Sequence, residues 1–595
     1  MNWIIWLVAW AVVGLPIPTI IFRSLRGQSN VRRSEGKFDK YFAMKFLRAI
    51  VKYAKLVISL FIGINLLLAG YPDAYMLWAI ISFFAVATLF EGIGLGASSR
   101  IIAMVVLLSV VLLGVVVVMA AFSGLNNAIY FDQYITKADG FPIENEIPSD
   151  MMRLCTKELA ESITKQHMSE FGSNVIIADT QITMYGGRLS WVSLIAKQQS
   201  WGLTYGISGI VVVDANDPNR TPVIMNNVTF AISDGLDFNP LLGAYGNGIA
   251  YGYYSINTAN AYGDIYPALT PEGNWVTVLT SYEPDTSFVR RYNGIYVVDQ
   301  QGKLINHYEN DIPTWVVQAY DEQSFFEEGV GAWGGHRRGD GFDFWAGGFL
   351  MWGPSNDRLS ISEDTRYIWD PDTSQVVAML MVHPIRESGD FSLAGAFKAT
   401  PSGIEYYDLS EFDMISGLSA GTIVKSKIVV RQGVEYLTAM ELLYPMKVAN
   451  ETKHVWFVPI YFEAQNGLMG LAGLGIVDSQ MSEKVYIEYV ENSGSGVSLI
   501  DRAKAGFRAL YGDIVPVTNV TLVEINGTLL AKYEPFTRSG NTMQWISIGG
   551  LNGTADVLVN SALVSDLEML KLQKIELGGQ ISVLVNNASV VHMIR

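Results

Sequence analysis

Four long apolar runs crowd the first 125 residues, at 2–22, 56–71, 74–90 and 101–122. A helix needs roughly 20 apolar residues to cross hydrocarbon, with about 17 as the lower limit. The first and fourth runs exceed this and the third just meets it. The second and third are separated only by Tyr71, Pro72 and Asp73. They read as a helical hairpin whose first arm begins a turn early, with Lys52 and Lys55 snorkelling to the interface. The first run has no basic segment before it and no small-x-small cleavage site, so it reads as a retained helix rather than a signal peptide. The sequence therefore predicts a membrane protein with four N-terminal transmembrane helices (1–125), followed by a β-rich, α+β multi-domain ectodomain.

Charge gives the predicted orientation. Residues 23–55 contain ten Lys and Arg against Glu35 and Asp39. The positive-inside rule puts that loop in the cytoplasm, and the N-terminus and everything after 122 outside. The expected location is the plasma membrane, multi-pass. Lys45, Arg48, Lys52 and Lys55 lie at helical spacing opposite Phe42, Phe46, Ile50 and Tyr53. Such a helix either touches anionic lipid headgroups, making membrane lipids a partner, or only enforces topology. Glu91 sits beside Gly92, Gly94 and Gly96, within about a turn of the predicted cytoplasmic face, a setting that favours an ordinary helix end over an ion pathway.

Beyond residue 125 the balance reverses. The first 125 residues carry 11 Lys+Arg and 4 Asp+Glu out of totals of 41 and 57, so the remainder holds 30 and 53, a net of −23. That excludes nucleic acid as a ligand, because phosphate binding requires a basic surface. Seven N-x-S/T sites, at Asn219, Asn227, Asn450, Asn519, Asn526, Asn552 and Asn587, all fall in this part and are expected to carry sugar. The single cysteine, Cys155, permits no internal disulfide.

Residues 126–147 read as a linker and 149–171 as a helix. Ser149 would cap it, Met152, Cys155, Leu159 and Ile163 form its apolar stripe, and Gly172 follows it. Cys155 on that stripe reads as a small buried hydrophobe rather than a nucleophile. β-type sequence then dominates, in segments divided as 126–400, 401–514 and 515–595. A second helix is expected at 498–512, capped by Ser498 with Asp501, with Ala503, Phe507 and Leu510 facing inward. The last segment predicts a small β-sandwich or barrel. Its strands at 519–525 and 528–533 would flank an Asn526-Gly527 hairpin turn, and Asn552-Gly553 would form another.

An internal echo runs through the first β-rich segment. Residues Gly209-Ile210-Val211-Val212-Val213-Asp214 are matched by Gly294-Ile295-Tyr296-Val297-Val298-Asp299. Ahead of them stand Trp191-Val192 and Trp275-Val276, each shortly after a glycine. The arrangement resembles PepSY-type extracytoplasmic modules over about 40 residues each time. The resemblance implies a small sheet-and-helix module that binds peptides or other envelope components, and transfers no functional residue.

Residues 325–354 gather eight Phe and Trp with nine glycines. Trp333, His336, Arg337, Arg338, Asp340, Asp343 and Trp345 are the candidate ligand-binding set: flat rings stack on a sugar or peptide while charged groups fix it. The alternative is a loop whose rings are core. Glu327 or Glu328 with Asp340 or Asp343 would serve as the acid and base of a hydrolase. Asp214, Asn216 and Asp217 offer oxygens in one short turn, suited to calcium or to a plain Asx turn. The sequence contains no H-E-x-x-H, P-loop, nucleophile elbow or dinucleotide fingerprint.

These features favour a non-enzymatic binding and assembly protein with envelope or surface protein partners. A membrane-tethered hydrolase acting on envelope glycans or peptides, and an accessory subunit of a transport complex, are the alternatives.

Overall fold

The structure is a computed structural model. It describes residues 122–198, 204–233, 261–283, 289–338, 341–343, 358–362, 365–385, 392–428, 435–448, 451–463, 469–490, 498–511, 523–533, 535–538, 541–550, 553–560, 571–585 and 590–594, with Val111, Gly114, Val118 and Ile256. Among the described residues no helix is long and apolar enough to cross a membrane. The expected four spanning helices, and with them the multi-pass plasma-membrane location, are therefore not supported by the described residues. Helix α1 (Ser123–Phe131), at the end of the apolar region, has nine residues and includes two asparagines, far short of a span. The runs at 2–22, 56–71 and 74–90, nearly all of 101–122, the basic loop 23–55 and Glu91 lie outside the described residues.

Two compact units result. One contains the described residues up to Ile143 together with Met151–Ser416, and the other contains Glu144–Asp150 and Gly417–Arg595. The predicted linker is therefore structured. Leu125, Ala128 and Phe131 recur every third residue and bury one stripe of α1. Strand β1 (Ile135–Ala138) then joins a sheet.

Helix α2 is shorter than predicted, Lys157–His167. The Thr156 hydroxyl accepts the Leu159 N–H at 3.2 Å and takes the cap. The preceding residues are held outside the helix, because the Leu154 and Cys155 N–H groups both donate to the Ala215 carbonyl at 2.8 Å. The apolar spacing of Met152 and Cys155 reflects this docking, not a helix stripe. Thr164 on α2 donates to Ser193 at 2.9 Å, which also bonds Thr180 at 3.0 Å, so hydroxyls fix the helix to the sheet.

That sheet is an antiparallel meander of β2 (Val175–Tyr185), β3 (Arg188–Gln198), β4 (Thr204–Asp214) and β5 (Val223–Met225). A second meander follows: β6 (Ala261–Leu269), β7 (Trp275–Glu283), β8 (Arg291–Val298) and β9 (Leu304–Tyr308). The echo in the sequence is this repeat. In each, the third strand runs into an aspartate, the last residue of β4 and the first after β8, whose Oδ1 accepts backbone N–H groups of the next turn. Asp214 takes Asn216 at 2.9 Å and Asp217 at 3.2 Å, and Asp299 takes Gln301 at 3.0 Å and Lys303 at 2.8 Å. The side chain thus imitates a backbone turn and stops the strand.

The first unit continues with a π-helix (Glu322–Val330), α3 (Gly331–Gly335) and a hairpin of β10 (Arg337–Arg338) and β11 (Gly341–Phe342). Strands β12 (Leu359–Ile361), β13 (Arg366–Asp370), β14 (Gln375–Pro384), β15 (Gly395–Thr400) and β16 (Gly403–Asp408) complete a six-stranded sheet with β1. Strand β1 is parallel to β16 and the remaining pairs are antiparallel.

The second unit opens with α4 (Gly417–Lys427) and a sheet of β17 (Glu435–Thr438), β18 (Leu442–Val448), β19 (Glu451–Glu463), β20 (Met469–Asp478) and β21 (Val485–Tyr489). The aspartate device recurs here. Asp478 ends β20 and accepts Gln480 at 2.8 Å and Met481 at 2.9 Å, while Trp456 pairs with Val477 just as Trp191 pairs with Val213. Helix α5 (Leu499–Ala509) is capped by Ser498, which accepts the Asp501 N–H at 3.1 Å. Ala503 and Phe507 are buried as expected, but Leu510 is exposed.

The C-terminal strands are β22 (Val523–Lys532), β23 (Phe536–Arg538), β24 (Asn541–Gly550), β25 (Gly553–Asn560), β26 (Gln580–Val585) and β27 (Val590–Ile594). Pairing closes a ring in the order β22, β24, β25, β27, β26 and back to β22, with β25 and β27 parallel. This is the strand order of an OB-type barrel. It corrects the predicted hairpin, because Asn526 and Gly527 lie inside one continuous strand, opposite Ser582 and Ile581. At this point β22 passes from β26 to β24. A Cβ on Gly527 would run into the Gly549 carbonyl oxygen, so the glycine serves a close strand approach and not a turn.

Candidate functional site

Within the described part of the predicted aromatic segment, residues 325–338 and 341–343, the chain folds inward. Phe325, Phe326 and Trp333 are buried. Adjacent phenylalanines are both buried where the π-helix packs on α1 and on β6 of the second meander. Phe325 lies 4.9 Å from Phe131 of α1 and 4.2 Å from Tyr320, centroid to centroid. Trp333 donates its indole N–H to Asp132 Oδ1 at 2.8 Å and packs on Phe397 and Tyr406.

The charged members of the set mostly serve the same packing. The Arg337 guanidinium lies 4.8 Å from the Trp333 ring centre and 5.0 Å from that of Tyr406, a cation–π position. His336 is buried and its Nδ1 meets the Ala332 carbonyl at 2.9 Å. Burial holds its pKa below the ordinary histidine value, so the ring is neutral at pH 7. Asp343 is buried and donates its backbone N–H to the His336 carbonyl at 2.6 Å. Arg338 is exposed on the hairpin. Glu327 and Glu328 are exposed on the outer side of the π-helix. Asp340 and Trp345 lie outside the described residues. The structure therefore brings Trp333, His336, Arg337 and Asp343 together as an interior cluster, not as a surface groove.

The Asp214 turn has its oxygens already engaged. Besides the two backbone bonds to Oδ1, Oδ2 faces the Arg188 and Arg220 guanidiniums at 3.4 and 3.2 Å. Asn216 donates its side-chain amide to the Met152 carbonyl, and Asp217 Oδ1 accepts the Asn219 N–H at 3.2 Å. Two guanidiniums supply the charge a calcium ion would, so the set acts as an Asx turn pinned by arginines. Among the described residues no group of three or more His, Cys, Asp or Glu side chains is placed to hold a metal ion.

Three sequon asparagines are described, and Asn219, Asn227 and Asn526 are all exposed. Asn450, Asn519, Asn552 and Asn587 lie outside the described residues. Cys155 is fully buried, and burial pushes its thiol well above the usual range, which removes it as a nucleophile.

A polar group missed by the sequence reading lies under the second meander. Asp321 is 1% exposed, and its Oδ2 has no hydrogen-bond partner among the described residues. The hydroxyls of Tyr266 and Tyr282 are likewise buried and unpartnered. Burial first, and the neighbouring Asp264 second, push the Asp321 carboxyl up to about 7. The strand register puts Tyr266 opposite Val278, and Tyr282 opposite Tyr292, so all three tyrosines share the sheet face with Thr280. The available signal was the tyrosine alternation in 262–296, which reads at first as ordinary strand composition.

No known family matches the chain, and no curated protein of similar sequence is found.

Proposed function

We propose that the chain is a binding and assembly protein whose antiparallel modules receive an extended polypeptide along their open edges. The observation that carries this reading is shared by both repeats of the first unit. Among the described residues, β5 pairs only with β4 and β9 only with β8. Both fourth strands expose branched apolar side chains: Val223 at 40%, Leu304 at 36% and Ile305 at 57%. Edge strands of globular proteins are ordinarily blunted by charge, proline or a cover. An uncovered apolar edge offers backbone hydrogen bonds for affinity and side-chain contacts for selection, the mode of strand addition. The resemblance of the repeats to peptide-binding sheet-and-helix modules supports the same reading.

The test is to isolate the full chain gently from its native source and determine the mass and composition of what accompanies it. A stoichiometric protein partner is expected, and a Leu304→Lys/Ile305→Lys double variant should lose it while keeping the wild-type circular dichroism. A wild-type chain that runs alone, or a partner retained by the double variant, overturns the reading.

A further inference from the structure

We propose that Asp321 and Asp264 form a proton-holding pair that fastens residues 322–335 to the second meander, so that the junction tightens in acid and loosens in base.

The geometry begins at the start of the π-helix. Asp321 Oδ1 accepts the Ser324 N–H at 2.5 Å and caps it. The Glu322 N–H, in the same first turn, donates to Asp264 Oδ2 at 3.0 Å. Two carboxyls therefore meet one helix end. The second oxygen of Asp321 turns into the sheet, beneath Gly263 and beside Thr280. A Cβ at Gly263 would stand 2.7 Å from that oxygen and 2.5 Å from Thr280 Oγ1. Glycine at 263 is what lets the carboxyl enter.

The titratable and charged groups around it can be named strand by strand. Asp264 and Tyr266 come from β6, Tyr282 from β7, Tyr292 from β8 and Tyr367 from β13, with Tyr320 and Glu322 on its own segment. Arg153 acts on Tyr367, and Arg290 bonds Ser324 Oγ at 2.5 Å. Burial lifts Tyr266, Tyr292 and Tyr367 well above the usual phenol range, so they carry no charge near neutrality. Among the described residues no cation pairs with the unpartnered oxygen. A buried carboxyl in that position is stable when protonated and strained when ionised, the more so with Asp264 alongside.

The sign follows. An acid whose folded pKa is raised binds more protons folded than unfolded between about 4 and about 7. The junction is therefore strongest below that window and weakens as pH rises through it. The same corner also reaches the six-stranded sheet, since Glu322 Oε1 accepts the Thr365 N–H at 3.1 Å. Loosening it frees the segment that carries Phe325 and Trp333.

Amide exchange of peptides within 322–335, in the full chain, tests this directly. Wild type is compared at each pH with Asp321→Asn, which keeps the cap and removes the charge, and with Asp264→Asn. At pH 5.5 all three should exchange alike. At pH 8.5 the wild type should exchange faster than Asp321→Asn by on the order of tenfold, and Asp264→Asn should need a higher pH than wild type to loosen. The proposal is overturned if Asp321→Asn and wild type agree at both pH values, or if Asp321→Asn differs equally at both. It is also overturned if added Na⁺, K⁺ or Ca²⁺ at fixed pH restores wild-type protection, since a cation would then occupy the site.

Discussion

Lys504 on α5 pairs with Glu146 at 2.9 Å, tying the strap Glu144–Asp150 to the second unit. Arg508, one turn further on, reaches the same carboxylate at 3.0 Å. The Lys504 ammonium also donates to the Ile147 carbonyl at 3.2 Å, and Ser149 bonds Asp501 at 2.6 Å. A segment far away in sequence is thus held by one face of one helix.

Burial alone would raise the Glu146 pKa, but Lys504, then the Lys447 N–H and then Arg508 outweigh it, and the carboxyl sits below its ordinary value. A lowered acid stabilises above its unfolded pKa and loses that contribution as pH falls through the folded one. Glu146→Gln should therefore lower stability at pH 7 and converge on wild type in acid. Removing the carboxylate leaves Lys504, 5% exposed, without its partner, at a cost of roughly 3 kcal/mol at pH 7. Denaturant unfolding followed at both pH values would show it, and an effect independent of pH would contradict the assignment.

Asp370 and Lys398 make a second pair, at 2.8 Å, with side chains 0% and 8% exposed. Asp370 also holds the turn after β13, accepting the Asp372 N–H at 3.0 Å and the Thr373 hydroxyl at 2.7 Å. Lys398→Met should cost roughly 3–5 kcal/mol by leaving a buried carboxylate uncompensated. Adding Asp370→Asn should recover part of that loss. A double-mutant cycle with additive effects would rule out coupling between the two.

Cys155 should resist a thiol-specific reagent in the native protein and react at the free-thiol rate once unfolded. Its sulfur is fully buried, and Trp191 closes over the same residue by donating to the Cys155 carbonyl at 2.8 Å. Rapid native labelling would place the thiol at the surface instead.

The sequence was most readable where one local rule acts alone. Ser498 with Asp501 marks a real cap, and the Val-Asp strand ends mark real Asx turns, since both need only neighbouring backbone. It misled where distant strands decide. Asn526-Gly527 has the composition of a tight turn, yet Gly527 is required by the passage of Gly549 on another strand. Met152 and Cys155 have helical spacing, yet the Ala215 carbonyl holds the chain out of the helix. For the rings of 325–354 a groove and a buried core both stayed open, because composition cannot tell an exposed tryptophan from one buried, as Trp333 is, against Phe397. Asp321 was invisible for the converse reason: nothing adjacent to it in sequence reveals that Gly263 opens a place for its carboxyl.

A polypeptide added along the open edges would protect the backbone of β5 and β9, and amide exchange across these two strands reads that protection. The full chain is compared alone and in its native complex. Exchange should slow at residues 223–225 and 304–308 in the complex, with β3 and β7 unchanged. Unaltered exchange in both edge strands, with protection appearing elsewhere, would contradict it.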